Sequence, residues 1–188
     1  MPVEPFEPDR MEKIDDAATA FRYCSGEELR AYLDAGPAWR VADLGSGTGR
    51  YTSELAPVAG HVFAVDVRQG MHEFYRQKGV PTNVTPLLAD FQHLPLPDDA
   101  LDGAVSMRSY HHDFAPALPE VARVLRPGGR LVIVDWSGTG AGDREIPVEE
   151  EYLDLAEVQA DLLETGFRID RAEERRETFV VVGALRPA

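Results

Sequence analysis

Cysteine is nearly absent from this 188-residue chain, where Cys24 stands alone. One thiol forms no internal disulfide framework and builds no multi-cysteine zinc site. Lysine is almost as scarce: of 19 basic residues only Lys13 and Lys78 are lysines, against 33 acids, for a formal charge of −14. Phosphate backbones and anionic membranes are bound through Lys and Arg, so this balance argues against a large nucleic-acid surface and against an anionic membrane as partner. No apolar run approaches the roughly 20 residues that cross a bilayer. The N-terminus, MPVEPFEPDRMEKIDD, lacks the basic and apolar regions of a signal peptide, so a cytoplasmic location is expected. Two origins fit an acid-rich, lysine-poor composition. One is a halophilic habitat; the other is a GC-rich genome in which Arg replaces Lys. Internal repeats are also missing.

What is present is enough for one ordinary domain. Hydrophobic residues make up 44% of the chain, sufficient for a packed core. Residues 1–37 read as an acidic, Pro-rich tail followed by a helical cap, with helices expected over 14–24 and 27–35 and a stop at Gly36-Pro37. From residue 38 to 188 short apolar runs alternate with helix-patterned segments. Strands are expected over 40–44, 61–67, 84–89, 102–107 and 131–136, and helices over 48–58, 70–77, 116–125 and 148–165. Such alternation forces crossovers and a mainly parallel sheet with helices on both sides. Residues 167–173 and 178–185 have no helix between them and should pair as an antiparallel hairpin at an edge. The fold class is therefore α/β in three layers, one compact unit with its N-terminal cap.

The segment Val41-Ala42-Asp43-Leu44-Gly45-Ser46-Gly47-Thr48-Gly49 carries the most chemistry. Three alternate glycines follow a strand and open a helix. They allow a tight turn and let a ligand reach the backbone, next to the unpaired N–H groups of a helix start. Asp66, at the end of the second strand, stands where a carboxylate can accept from both ribose hydroxyls of a nucleoside. The spacing is G-x-G-x-G, not the G-x-G-x-x-G of a dinucleotide fold, and Asp43 precedes the first glycine by two residues. An acid there suits a positively charged ligand and disfavours a pyrophosphate, which counts against a nicotinamide-dependent oxidoreductase.

Taken together, VADLGSGTGRYT, FAVDV, LLADFQHLPLPDDALDGAVS and LRPGGRLVIVDW resemble the successive signatures of class I S-adenosylmethionine-dependent methyltransferases, of the small-molecule, type 11-like kind. The resemblance is strong over residues 38–136, topological over 137–188 and weak before 38. It implies a Rossmann-like methyltransferase fold with a seven-stranded sheet and S-adenosylmethionine as cofactor. It further implies that Asp43, Gly45, Ser46, Gly47, Thr48 and Gly49 hold the methionine part. Asp66 would take the ribose and Val67 would lie beside the adenine. Asp90 would take the adenine amino group with help from Phe91, and Ser106 and Met107 would line the floor near the methyl group. Ser46 stands where many members carry cysteine. The cofactor bears a sulfonium and an ammonium, so three acids at the ends of consecutive strands, Asp43, Asp66 and Asp90, suit it electrostatically.

Methyl transfer is an in-line displacement at carbon, and a hydroxyl, thiol or acidic-carbon acceptor needs a base. His111 and His112, in Tyr110-His111-His112-Asp113 after the fourth strand, are the candidate catalytic residues. Adjacent histidines point apart, so at most one should face the cleft. Consecutive residues rarely converge on one ion, and no metal is expected. Tyr51, Tyr110 and Trp136, the last beside Asp135, are candidate walls of an acceptor site; Phe21 and Tyr23 are candidates to close over the cofactor. Residues 137–147 are Gly-rich and read as a lid or a connector. His72 reads as exposed at a helix start, and Arg171, Arg175 and Arg176, interleaved with glutamates, as a solvated hairpin. The expected function is methyl transfer to a small molecule, with no nucleic-acid or membrane partner. The alternative is a non-catalytic domain that binds S-adenosylmethionine or S-adenosylhomocysteine for sensing or assembly.

Overall fold

The computed structural model describes residues 8–112, 114–138 and 153–187. Three helices come first: α1 (Pro8–Asp15), α2 (Ala17–Tyr23) and α3 (Gly26–Leu33). Ser25 sets the start of α3 with a reciprocal cap. Its Oγ accepts from the Glu28 N–H at 3.1 Å, and Glu28 accepts from the Ser25 N–H at 2.9 Å. The alternating part follows as β1 (Arg40–Leu44), α4 (Thr52–Leu55), β2 (His61–Asp66), α5 (Gln69–Lys78), β3 (Val84–Leu88), β4 (Leu101–Met107), α6 (Leu118–Val124) and β5 (Leu125–Trp136). Then come α7 (Leu155–Glu164), β6 (Phe167–Glu174) and β7 (Thr178–Leu185).

The strands form one seven-stranded sheet in the order β3-β2-β1-β4-β5-β7-β6. β1 to β5 are parallel, and β7 runs antiparallel between β5 and β6. The expected hairpin is thus present, with its second strand inserted beside β5 and its first at the edge. Nearly every residue of β1, β2 and β4 is buried, as a sheet covered on both faces requires. One face packs Leu44, Val65, Leu118, Val121, Ile133 and Leu162. The other packs Val41, Val62 and Val132 against Leu29, Leu33 and Leu55, so the N-terminal helices share the core of the sheet.

Three local expectations change. β5 begins at Leu125, six residues before the apolar run, because Leu125 pairs with Leu101 across a register shift. Arg126-Pro127-Gly128-Gly129 therefore lies inside a strand and not in a helix stop. The helix after the glycine loop is short, because residues 45–51 are spent in a turn. Of the helix expected over 148–165, Leu155–Glu164 is observed and residues 148–152 lie outside the described residues, as does most of the Gly-rich 137–147 segment. Among the described residues no helix is long and apolar enough to cross a membrane.

Candidate active site

The carboxyl ends of β1, β2, β4 and β5 lie in register, with Leu44 opposite both Val65 and Ser106, and Met107 opposite Val134. Parallel sheets of this order leave a crevice at that end, where the two halves wind in opposite directions from β1. Residues 43–49, 66–67, 90–91, 106–112 and 135–136 are brought to it.

The glycine loop is built for close approach. Gly45, Gly47 and Gly49 all have positive φ, at 79°, 52° and 76°. A Cβ on Gly49 would fall 2.4 Å from the Tyr75 ring, whereas one on Gly47 would meet nothing within 4 Å. Gly49 thus serves packing, and Gly47 faces open space that a ligand can enter. Asp66 ties the loop down: its Oδ2 accepts from the Gly47 N–H and its Oδ1 from the Arg68 N–H, both at 2.8 Å. Each oxygen keeps a second acceptor position. Val67 beside it is 44% exposed, an unusual outlay for a valine and a flat apolar surface for a base. Asp90 is exposed and accepts from the Gln92 N–H at 2.9 Å. The Phe91 ring packs 5.2 Å from Phe114 and reaches toward Gly45.

Asp43 lies beneath the loop, 1% exposed. Its Oδ2 accepts from the Thr52 hydroxyl at 2.6 Å, and its Oδ1 has no partner among the described residues. Burial pushes this carboxyl up to about 7; the Asp66 charge adds to the shift and the Thr52 hydrogen bond opposes it. Ser46 Oγ, Thr48 Oγ1 and Ser106 Oγ are likewise buried without partners. Buried polar atoms are normally satisfied. Four open ones around a glycine cradle, one of them an acid that a cation would ionise, fit a ligand carrying both donors and positive charge.

On the far side of β4 the two histidine rings stay in contact but differ in burial and partner. His111 Nδ1 lies 2.7 Å from Asp135 Oδ1, the two side chains being 5% and 0% exposed. Asp135 also accepts from the backbone N–H groups of Tyr110 (2.6 Å), His111 (3.2 Å) and Trp136 (2.8 Å). A carboxylate so surrounded only accepts, so Nδ1 is the donor of this bond, and in a neutral ring Nε2 is then the acceptor. His112 is exposed, its ring 4.0 Å from that of His111. Asp113 lies outside the described residues, and among those described no group of three or more His, Cys, Asp or Glu could hold a metal.

Tyr51, Tyr110 and Trp136 are buried, and Phe21 and Tyr23 are half-buried. Tyr51 donates to the Ala20 carbonyl at 2.7 Å, tying α2 to the loop, and burial raises its phenol pKa. Tyr110 points to Asp161 of α7 at 3.1 Å. Trp136 meets Tyr23 edge-on at 4.8 Å.

Two expectations are corrected. His72 is 1% exposed, because its Nε2 sits 3.1 Å from the Leu87 carbonyl and 3.3 Å from that of Asp66, joining the ends of β2 and β3. Arg175 is not solvated: its side chain is 18% exposed and donates to the Tyr23 carbonyl, Glu28 and the Tyr32 hydroxyl, which anchors the hairpin to α2 and α3. Sequence reasoning missed the His111–Asp135 pairing and Thr52 as the partner of Asp43, because both join residues that only the fold brings together.

Comparison with known proteins agrees with this geometry. A methyltransferase-domain family model matches residues 42–133. A solved S-adenosylmethionine-dependent methyltransferase from Aquifex aeolicus superposes with a TM-score of 0.83 at 26% identity, over 96% of this chain and 100% of that one. These matches support membership of the class I S-adenosylmethionine-dependent methyltransferase family. An uncharacterized methyltransferase of Mycobacterium tuberculosis is 44% identical over 101 residues, 53% of this chain and 40% of that protein. A demethylmenaquinone methyltransferase of Corynebacterium glutamicum is 36% identical over 114 residues, 59% of this chain and 47% of that protein. The chain thus spans less than half the length of these curated relatives. The cofactor of the family is S-adenosylmethionine, and the open polar atoms and the Gly47 cradle fit it.

Proposed function

We propose that this methyltransferase acts on a small molecule whose acceptor atom loses a proton to His111. S-adenosylmethionine, when bound, supplies a methyl group activated by the sulfonium. Asp43 and the glycine loop hold its methionine part, and Asp66 its ribose. Val67, Asp90 and Phe91 surround the adenine, while Ser106 and Met107 form the floor. His111 Nε2 takes the proton of an acceptor hydroxyl, thiol or acidic carbon. Asp135 fixes the ring and stabilises the imidazolium that results, the role a buried carboxylate plays beside other histidine bases. Tyr51, Tyr110 and Trp136 brace the elements that carry these groups, and Trp136 and Tyr23 wall the acceptor side.

The observation that carries the reading is the His111–Asp135 pair, at the ends of adjacent strands next to the glycine loop. A domain that only bound the cofactor would need no oriented proton acceptor, so the pair supports catalysis over sensing. The net charge of −14 supports a small molecule over a nucleic acid. Demethylmenaquinone, named for the Corynebacterium relative, is the first acceptor to assay. With labelled S-adenosylmethionine, His111→Gln should lower kcat by roughly 10²- to 10⁴-fold and leave cofactor affinity unchanged. Full activity in that variant would sink the base assignment.

A further inference from the structure

Arg108 is the one residue past the end of β4, and its backbone is strained. Its φ is +60°, in the left-handed region that a residue with a side chain enters only at a cost. The N–H is held there by the Val134 carbonyl at 2.7 Å. Strain of this kind persists where the surroundings over-determine it, commonly at functional positions. Here it brings the side chain to α2 and the end of β5. The guanidinium lies 5.4 Å from the centre of the Tyr23 ring and 5.8 Å from that of Trp136. Those two rings meet edge-on, so the cation sits in a corner made by α2 and the end of β5.

Elsewhere arginines answer the chain's acids. Arg30 and Arg50 share Glu54, Arg126 pairs with Asp102, and Arg175 with Glu28. Among the described residues no carboxylate pairs with Arg108, and its Nε is buried without a hydrogen-bond partner. The charge is near enough to offset in part the burial that raises the Tyr51 phenol. Aromatic faces hold a guanidinium through its plane and leave its edge, the fork of N–H donors, for a planar anion.

We propose that Arg108, cornered between Tyr23 and Trp136, is a carboxylate-binding residue of the crevice. The inference rests on the methyltransferase reading above. Two molecules of that reaction can supply the carboxylate: the cofactor, through its methionyl end, and the acceptor.

Calorimetric titration of the full chain separates these sources. S-adenosylhomocysteine carries the amino-acid carboxylate and 5′-methylthioadenosine does not. The ratio of their affinities is read because a variant that folds less well loses both ligands alike. If the cofactor is the source, Arg108→Gln weakens S-adenosylhomocysteine roughly 10- to 100-fold relative to methylthioadenosine, and Arg108→Lys recovers part of the loss. If the acceptor is the source, the ratio is unchanged. The S-adenosylhomocysteine complex of the wild type then prefers 4-hydroxybenzoate to 4-hydroxybenzamide at least tenfold, and Arg108→Gln abolishes the preference. An unchanged ratio with no preference for the carboxylate overturns the proposal. A wild type that binds neither adenosyl ligand overturns instead the reading on which it rests.

Discussion

Replacing Asp43 with asparagine should change stability in a way that depends on pH. The carboxyl titrates near 3.8 when exposed and near 7 in the folded protein, where burial is the main cause. Between those values the folded state keeps a proton that the unfolded chain has released. Stability therefore falls as pH rises through that window, by about 1.4 kcal/mol per unit. The ionised acid costs the wild type about 4 kcal/mol at pH 8 and under about 2 kcal/mol at pH 5. Asparagine has the same shape, carries no charge and can still accept from Thr52. Its NH2 group would occupy the place of the unpartnered Oδ1 and cost about 1–3 kcal/mol, equally at both pH values. The stability difference between Asp43→Asn and wild type should therefore move in favour of the variant by about 2.5 kcal/mol from pH 5 to pH 8. For a domain of this size that is roughly 5–10 °C in relative Tm. Thermal melts of both proteins at four pH values give the answer. A Tm difference independent of pH would refute the raised carboxyl, and a difference that moves against the variant would refute the sign.

The same carboxyl should govern cofactor affinity. The ammonium of the ligand favours the ionised acid, so the Kd for S-adenosylhomocysteine should rise as pH falls below 7, by at most about tenfold per unit, and level off above it; calorimetry at constant ionic strength checks this. Asp135→Asn should lower kcat with little change in cofactor Kd, because it removes the charge that stabilises the imidazolium, and the backbone N–H groups on Oδ2 turn the new NH2 group toward His111 Nδ1; equal activity on an acceptor that wild type methylates would contradict the dyad. Gly49→Ala drives a Cβ into the Tyr75 ring at φ 76° and should lower both Tm and cofactor affinity, while a fully stable variant would show that the loop has slack the packing does not reveal.

Much of this architecture is legible in the chain because its signals are local. β1 begins and ends where the apolar run Arg40–Leu44 does, and the glycine turn follows at once. The antiparallel hairpin is legible because nothing helical separates its strands. β5 is different: Arg126-Pro127-Gly128-Gly129 has the composition of a break, and only pairing with Leu101 makes it strand. His72 is polar and near a helix start, and its burial depends on two carbonyls contributed by β2 and β3. Asp43, Asp66 and the glycines announce themselves by motif spacing. The bond between His111 and Asp135 joins residues 24 apart in sequence, and it exists only because β4 and β5 are neighbours in the sheet. Arg175 likewise looks like one member of an exposed charge run until its contacts with Tyr23, Glu28 and Tyr32 are seen.

The central claim is that the crevice at the carboxyl ends of β1, β2 and β4 holds S-adenosylmethionine. Titrating S-adenosylmethionine and S-adenosylhomocysteine into the wild type and into Asp66→Ala, at low and at molar salt, tests it most directly. The account predicts micromolar binding of both by the wild type and its loss in the variant. No binding at either salt, or equal affinity in both proteins, would contradict it.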